Sequence, residues 1–268
     1  MSFGGGGRKF QLELSQRAEQ RLEQRLETAL RQSVDPKVQR HWDYKIADGL
    51  TPAQLALEGR AVNKENFQEL INLEVEGFTL ALSRWGSNAS GAEVHYFGIG
   101  LGLALEEIAR LANQAGMNVI AYDSSLVGCS NGKEVFWKLG WEGNRVYQAD
   151  IEFACRRQFI SPQRARIIVA SRVLDVLDKV SGDPGKMKRT LRRMGKLMRY
   201  LKALIIHPEP QGNEGVVWHD PIPSPLEHVA ELASHGLPRK ERSMVKLTRL
   251  GYSNFVGYRY SGGLLELE

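Results

Sequence analysis

Glu93-Val-His-Tyr-Phe-Gly98-Ile-Gly100-Leu-Gly102-Leu-Ala-Leu-Glu-Glu-Ile-Ala-Arg110 is the stretch on which the fold turns. Residues 94–97 form a short apolar run of strand type, and 103–115 carry their apolar residues at helical spacing. Three alternating glycines join the two. Glycine lets a backbone reverse sharply and lets a ligand come close with no Cβ in the way. A helix that starts just beyond offers unpaired N–H groups and the positive end of its dipole. The next apolar run, 118–122, ends on Asp123, 25 positions after Gly98. A carboxylate at such a strand tip accepts the hydroxyl hydrogens of a ribose. A tight turn followed by a solvated aspartate accounts for the same residues with no ligand, so the rest of the chain has to decide.

Outward from this unit, short apolar runs alternate with longer amphipathic ones, which predicts a parallel sheet with crossover helices. Strands are expected at 94–97, 118–122, 145–149, 166–170 and 203–207, with helices at 103–115, 133–139, 173–180 and 186–201. Near the end a helix is expected over 241–250, then strands 254–260 and 264–268 joined by Ser261-Gly262-Gly263. Two strands so close can only be antiparallel neighbours. The first part reads differently. Residues 1–9 form a glycine-rich flexible start, and 10–90 are helical: 10–34 up to Asp35-Pro36, a start at Thr51-Pro52, and 63–85 with Phe67, Leu70, Ile71, Leu73, Phe78 and Leu82 as the buried side.

The dinucleotide pattern asks for a small third residue at position 103, where this chain has Leu103; the glycine stands at 102 instead. The Gly98-x-Gly100-x-Gly102 form resembles the first motif of the class I, Rossmann-like S-adenosylmethionine-dependent methyltransferases. The resemblance covers residues 91–268. Asp150-Ile151 is similar to that family's adenine-contacting acid and its apolar neighbour, Ile167 to Leu177 to its fourth strand and following segment, and Leu247 to Phe255 to its passage from helix to last strand pair. It implies an α/β fold with a seven-stranded, mostly parallel sheet whose last strand is antiparallel, behind a helical N-terminal region. It also implies S-adenosylmethionine as cofactor, held by Gly98, Gly100, Gly102, Asp123, Asp150, Ile151 and Ser171. One position departs: the family carries an acid two residues before the first glycine, and here stands Tyr96, with Glu93 further back on the strand. The implied activity is methyl transfer to RNA or a small metabolite. A methyltransferase-like binding protein that has lost catalysis is the alternative, and a nicotinamide-dependent oxidoreductase, opposed by Leu103, comes third.

The formal net charge of +5 is concentrated: residues 186–202 hold eight cations and no acid, leaving the remainder acidic by three. Met187, Leu191, Met194, Met198 and Leu201 draw one apolar stripe along this helix. Lys186, Lys188, Arg189, Arg192, Arg193, Lys196 and Arg199 fill its other faces, either as a solvated surface or as a contact for nucleic-acid phosphates. His207 and Glu209, at the tip of the fifth strand, are the candidate general base. His219-Asp220 and the run His41-Trp42-Asp43-Tyr44 read more simply as loop and helix-packing residues. Cys129 and Cys155, 26 positions apart with no CxxC, read as reduced thiols of a cytoplasmic protein. No metal-ligand spacing and no membrane-length apolar run is present in the sequence.

Overall fold

Side chains alternate across a strand, so each buried parallel strand must be apolar on both faces and feed two cores. The central strands meet this demand. In the computed structural model, which describes residues 5–47, 64–85, 90–141, 143–161, 163–171, 177–201, 203–207, 225–255 and 258–268, Ile167 and Val169 enter one core while Ile168 and Ala170 enter the other. Ala203 and Ile205 are split from Leu204 in the same way. A slip of one residue would exchange the two sets, which fixes the register.

The N-terminal helices are α1 (Gly5–Gln32), α2 (Pro36–Ala47) and α3 (Lys64–Trp85). The α/β part follows as β1 (Glu93–Phe97), α4 (Leu103–Gln114), β2 (Asn118–Asp123), α5 (Leu126–Leu139), β3 (Arg145–Gln148), the single turn α6 (Ile151–Ala154), β4 (Ala165–Ser171), α7 (Leu177–Ser181), α8 (Lys186–Leu197), β5 (Ala203–His207) and α9 (Pro225–Ser234). A 3₁₀ segment (Arg239–Met244) then leads into β6 (Val245–Phe255) and β7 (Tyr258–Leu267).

The seven strands lie in the order β3-β2-β1-β4-β5-β7-β6. The first five are mutually parallel, and β7 is inserted antiparallel between β5 and β6. This is the Rossmann-like, mostly parallel sheet with an antiparallel last strand that the resemblance implies. Helices α3, α4 and α5 pack on one face; α8 and α9, with Leu30 of α1, pack on the other. The strand order reverses between β1 and β4, and in open α/β sheets ligands bind outside the carboxyl ends of the strands at such a reversal.

Several boundaries differ from the sequence reading. Residues 5–9 belong to α1. Helix α5 starts at Leu126, seven residues before the expected 133, because Ser125 caps it by accepting from Gly128 N at 3.0 Å. Its early glycines and polar residues hide the helical period. The helix expected over 241–250 is a short 3₁₀ turn and then strand: tertiary pairing of β6 with β7 overrides local propensity. Ser261-Gly262-Gly263 therefore lies within β7 and is not the connection. Helix α8 stops at Leu197, although Met198 and Leu201 still bury in its core. Helix α9, opening on Pro225, was hidden in a proline-rich stretch. The expected helix start at Thr51-Pro52 lies outside the described residues, as do the side chains of Phe67 and Leu70 in α3; of the rest of the α3 stripe Ile71, Leu73 and Phe78 are buried and Leu82 is half-buried.

Candidate functional site

β1 delivers the glycine turn to the carboxyl edge of the sheet beside β4. Gly98, Gly100 and Gly102 all have positive φ, at 86°, 54° and 79°. The turn is held on both sides. Gly100 N donates to Asp123 Oδ2 at 3.0 Å, and Asn131 Nδ2 donates to Gly100 O at 2.8 Å. A Cβ added at Gly100 would meet nothing within 4 Å, so the space over the turn is open. Helix α4 begins directly after Gly102 with no side-chain cap, leaving its first-turn amides as donors. The helices that start after β2 and β3 are both capped by side chains.

Asp123 sits at the tip of β2 beside this turn, half-buried, and Oδ1 also accepts from Ser125 N at 2.8 Å. Burial pushes its carboxyl above the ordinary value, with amide donation from Gly100, Ser125 and Ile99 opposing and nearby Asp43 adding to the rise. The two carboxylates bracket Ser125. Asp43, on α2, accepts through Oδ1 from Ser125 Oγ (2.6 Å), Leu126 N (2.8 Å) and Val127 N (3.2 Å), which seats it on the N-terminus of α5. Burial raises its pKa, but these donors and Gln39 outweigh burial and hold it below its ordinary value.

The tip of β3 is occupied by the chain's own groups. Asp150 Oδ1 accepts from Phe153 N at 3.0 Å and so caps α6, while Oδ2 lies 2.5 Å from Lys186 Nζ. Asp150 N donates to Ser33 Oγ at 3.1 Å, and Gln148 Nε2 donates to Gln39 Oε1 at 2.9 Å. Ile151 is buried. Ser171 ends β4 in register with His207 at the end of β5, so both backbones reach the same edge. Glu209 and His219-Asp220 lie outside the described residues. Tyr96 is buried on β1 and its hydroxyl donates to Glu74 Oε2 of α3 at 3.0 Å. A carboxylate does therefore stand next to the departing position, supplied by a helix and not by the strand. Glu93 is at the far end of β1, 3.5 Å from His95 Nε2.

Cys129 and Cys155 are both free and buried. Burial pushes the Cys129 thiol up to about 12 and the Cys155 thiol higher still, which leaves neither as a nucleophile. Among the described residues no three His, Cys, Asp or Glu are grouped as metal ligands, and no helix is long and apolar enough to cross a membrane. A cleft of about 340 Å³ lies on the outer side of β3, lined by Glu23, Lys133, Phe136, Arg145 and Tyr147, and so away from the glycine turn.

The basic helix is not without counter-charges, as its local sequence suggests. Lys186 pairs with Asp150, Arg189 with Glu152 and Asp183, Arg193 with Glu152 at 3.0 Å, and Arg199 with Glu241 at 2.8 Å. Lys188, Arg192 and Lys196 are exposed at i, i+4 and i+8 with no carboxylate in ion-pair range among the described residues. Sequence reasoning also missed Asp43, Ser33, Gln39 and Glu74. Only Asp43 carried a signal, in the run 41–44, and its partners are 82 to 84 residues away.

No protein-family profile matches the sequence, and no curated protein does. Among solved structures the chain is similar to the bifunctional kinase-methyltransferase WbdD, with 13% identity and a TM-score of 0.47 over 76% of this chain and 39% of that one. It is similar to TrmN from Thermus thermophilus at 14% identity and a TM-score of 0.43, covering 71% and 48% of the two chains. An rRNA methylase from Streptococcus thermophilus gives 14% identity and a TM-score of 0.44 over 70% of this chain and 94% of that one. The chain thus spans less than half the length of WbdD and of TrmN. Likeness at this level is no ground for assigning an activity, so the chemistry has to come from this chain's own loops.

Proposed function

We propose that this chain binds S-adenosylmethionine at the carboxyl edge of β1 and β2 and acts as a methyltransferase. One observation carries the reading: a glycine turn with open space over Gly100, at the sheet's reversal point, next to the half-buried carboxylate of Asp123. Asp123 would take a ribose hydroxyl, because the amides of Gly100, Ser125 and Ile99 leave its carboxylate one lone-pair site. The uncapped first turn of α4 supplies amide donors for the carboxylate of the cofactor's methionine part. Gly100 keeps the space over the turn clear of a side chain, Gly98 and Gly102 hold the turn through their positive φ, and Ser171, which ends β4 across the reversal point, would complete the site. The cofactor, when bound, supplies a methyl group on a positively charged sulfur. His207, whose backbone ends the neighbouring strand β5, and Glu209 are the residues proposed to take the acceptor's proton. Ile151 and Asp150 fit the adenine end less well, since Lys186, Phe153 N and Ser33 already use Asp150.

That occupation favours a second reading, in which the fold is kept for binding and catalysis is lost. For the acceptor or partner, Lys188, Arg192 and Lys196 support RNA phosphates over a small metabolite. Calorimetric titration with S-adenosylmethionine, S-adenosylhomocysteine and NAD separates these readings. Binding of both sulfur nucleotides, weakened by about 1–3 kcal/mol in Asp123→Ala, is expected. No binding of either would end the methyltransferase reading, and binding of NAD alone would revive the oxidoreductase.

A further inference from the structure

The α1–α2 hairpin reaches across the tips of β2 and β3 and makes a specific set of polar contacts there. From its turn, Ser33 takes the Asp150 amide. From α2, Gln39 takes Gln148, and Asp43 takes the Ser125 hydroxyl together with the first two amides of α5. From α1, Glu23 lies 2.7 Å from Arg145 Nη1 and accepts from the Tyr147 hydroxyl at 3.2 Å, which anchors the helix along β3. Leu30 is buried in the core beneath. The crevice is therefore asymmetric. At the glycine-turn end the space over Gly100 is open and the first turn of α4 has no side-chain cap, while the end over β2 and β3 has its donors satisfied by residues 82 to 124 positions away.

We infer that the α1–α2 hairpin is a self-inhibitory clasp on the nucleoside end of the crevice, with Asp43 and Ser33 occupying donors that the bound nucleoside must expose. The inference rests on the nucleoside-binding reading above and adds its regulation. Two features favour a displaceable clasp over a fixed roof. Asp43 brings a second negative charge beside Asp123 and adds to the rise that burial mainly causes in the carboxyl proposed to hold the ribose. At the strand tips the contacts are polar, and water replaces them when that edge of the hairpin lifts, while buried Leu30, Val34, Val38 and Ile46 keep the hairpin attached. Ligand binding and clasp closure then compete, so apparent affinity falls by the fraction of molecules that are open.

S-adenosylhomocysteine is the probe. In the full-length wild type, hydrogen exchange with and without it should show faster exchange at residues 33–43 and at the amides of Leu126 and Val127, while residues 98–102 become more protected. Asp43→Ala and Ser33→Ala should each bind the probe about tenfold or more tightly than wild type, as expected when a closed form holding nine-tenths of the molecules is released. Slower exchange in the hairpin on binding, or variants that bind equally or more weakly, would overturn the clasp and leave the cofactor site standing. If neither wild type nor variants bind the probe, the nucleoside reading itself fails and takes the clasp with it.

Discussion

Gly100→Ala tests the open turn directly. A Cβ at Gly100 meets no atom within 4 Å, so the only cost to the folded chain is the left-handed backbone at φ +54°. For an L-residue that costs roughly 1–2 kcal/mol, and in a domain of this size each kcal/mol lowers Tm by about 2–4 °C. Gly140 supplies the control, since it caps the end of α5 with φ +64° and also has nothing within 4 Å of a Cβ. Gly140→Ala should show the same loss of stability. The two must part on ligand binding. A methyl group over the turn at 100 fills the volume the cofactor needs, and overpacking of about 1–3 kcal/mol means binding weaker by roughly five- to 150-fold. Differential scanning calorimetry and titration with S-adenosylhomocysteine read the two effects separately. If Gly100→Ala loses stability like Gly140→Ala yet binds within twofold of wild type, the space over the turn is not where the ligand sits.

Two further outcomes follow from the titrating groups. The Asp43 carboxyl is held below its ordinary value of 3.8, so the stability it contributes is present above that pH and is lost as pH falls through its folded value; Asp43→Asn should flatten the acid limb of the stability curve, and an unchanged limb would deny the contacts to α5. With Cys129 at about 12 and Cys155 raised further, neither thiol should react with alkylating reagents at pH 7–8 in the native chain; labelling at the rate of a free thiol would contradict their burial.

The sheet was legible because each central strand is a local apolar run ended by glycine or a polar residue, and five of them in alternation with helices fix a parallel order. The glycine turn and Asp123 were legible for the same reason: strand, turn and helix are contiguous. What failed were features whose cause lies far along the chain. Leu247 looks helical among its neighbours and becomes strand only by pairing with Leu265 of β7. The clasp residues Ser33 and Asp43 act on partners 117 and 82 positions away, and no spacing rule links them. Asp150 shows the limit most clearly. The resemblance makes it an acceptor for adenine, while the structure gives it an ion pair with a lysine 36 positions later.

That pairing changes what the basic helix can do for a polyanion. Eight cations counted from sequence, all released onto single-stranded RNA, would give a salt slope near −5.6, at about −0.7 per neutralised phosphate. Four of the eight have carboxylate partners on the chain, and Lys202 lies outside the described residues; among the described residues Lys188, Arg192 and Lys196 stand ready without breaking an existing pair. Their slope is about −2. At i, i+4 and i+8 on one helix they present a charge about every 6 Å along a line of about 12 Å. The expected result is weak, modestly salt-dependent retention of RNA that disappears when all three are changed to alanine. A slope near −5 needs about seven phosphates and would mean that Lys186, Arg189, Arg193 and Arg199 all abandon Asp150, Glu152, Asp183 and Glu241, and the on-chain pairs would then be a resting arrangement of a larger nucleic-acid surface.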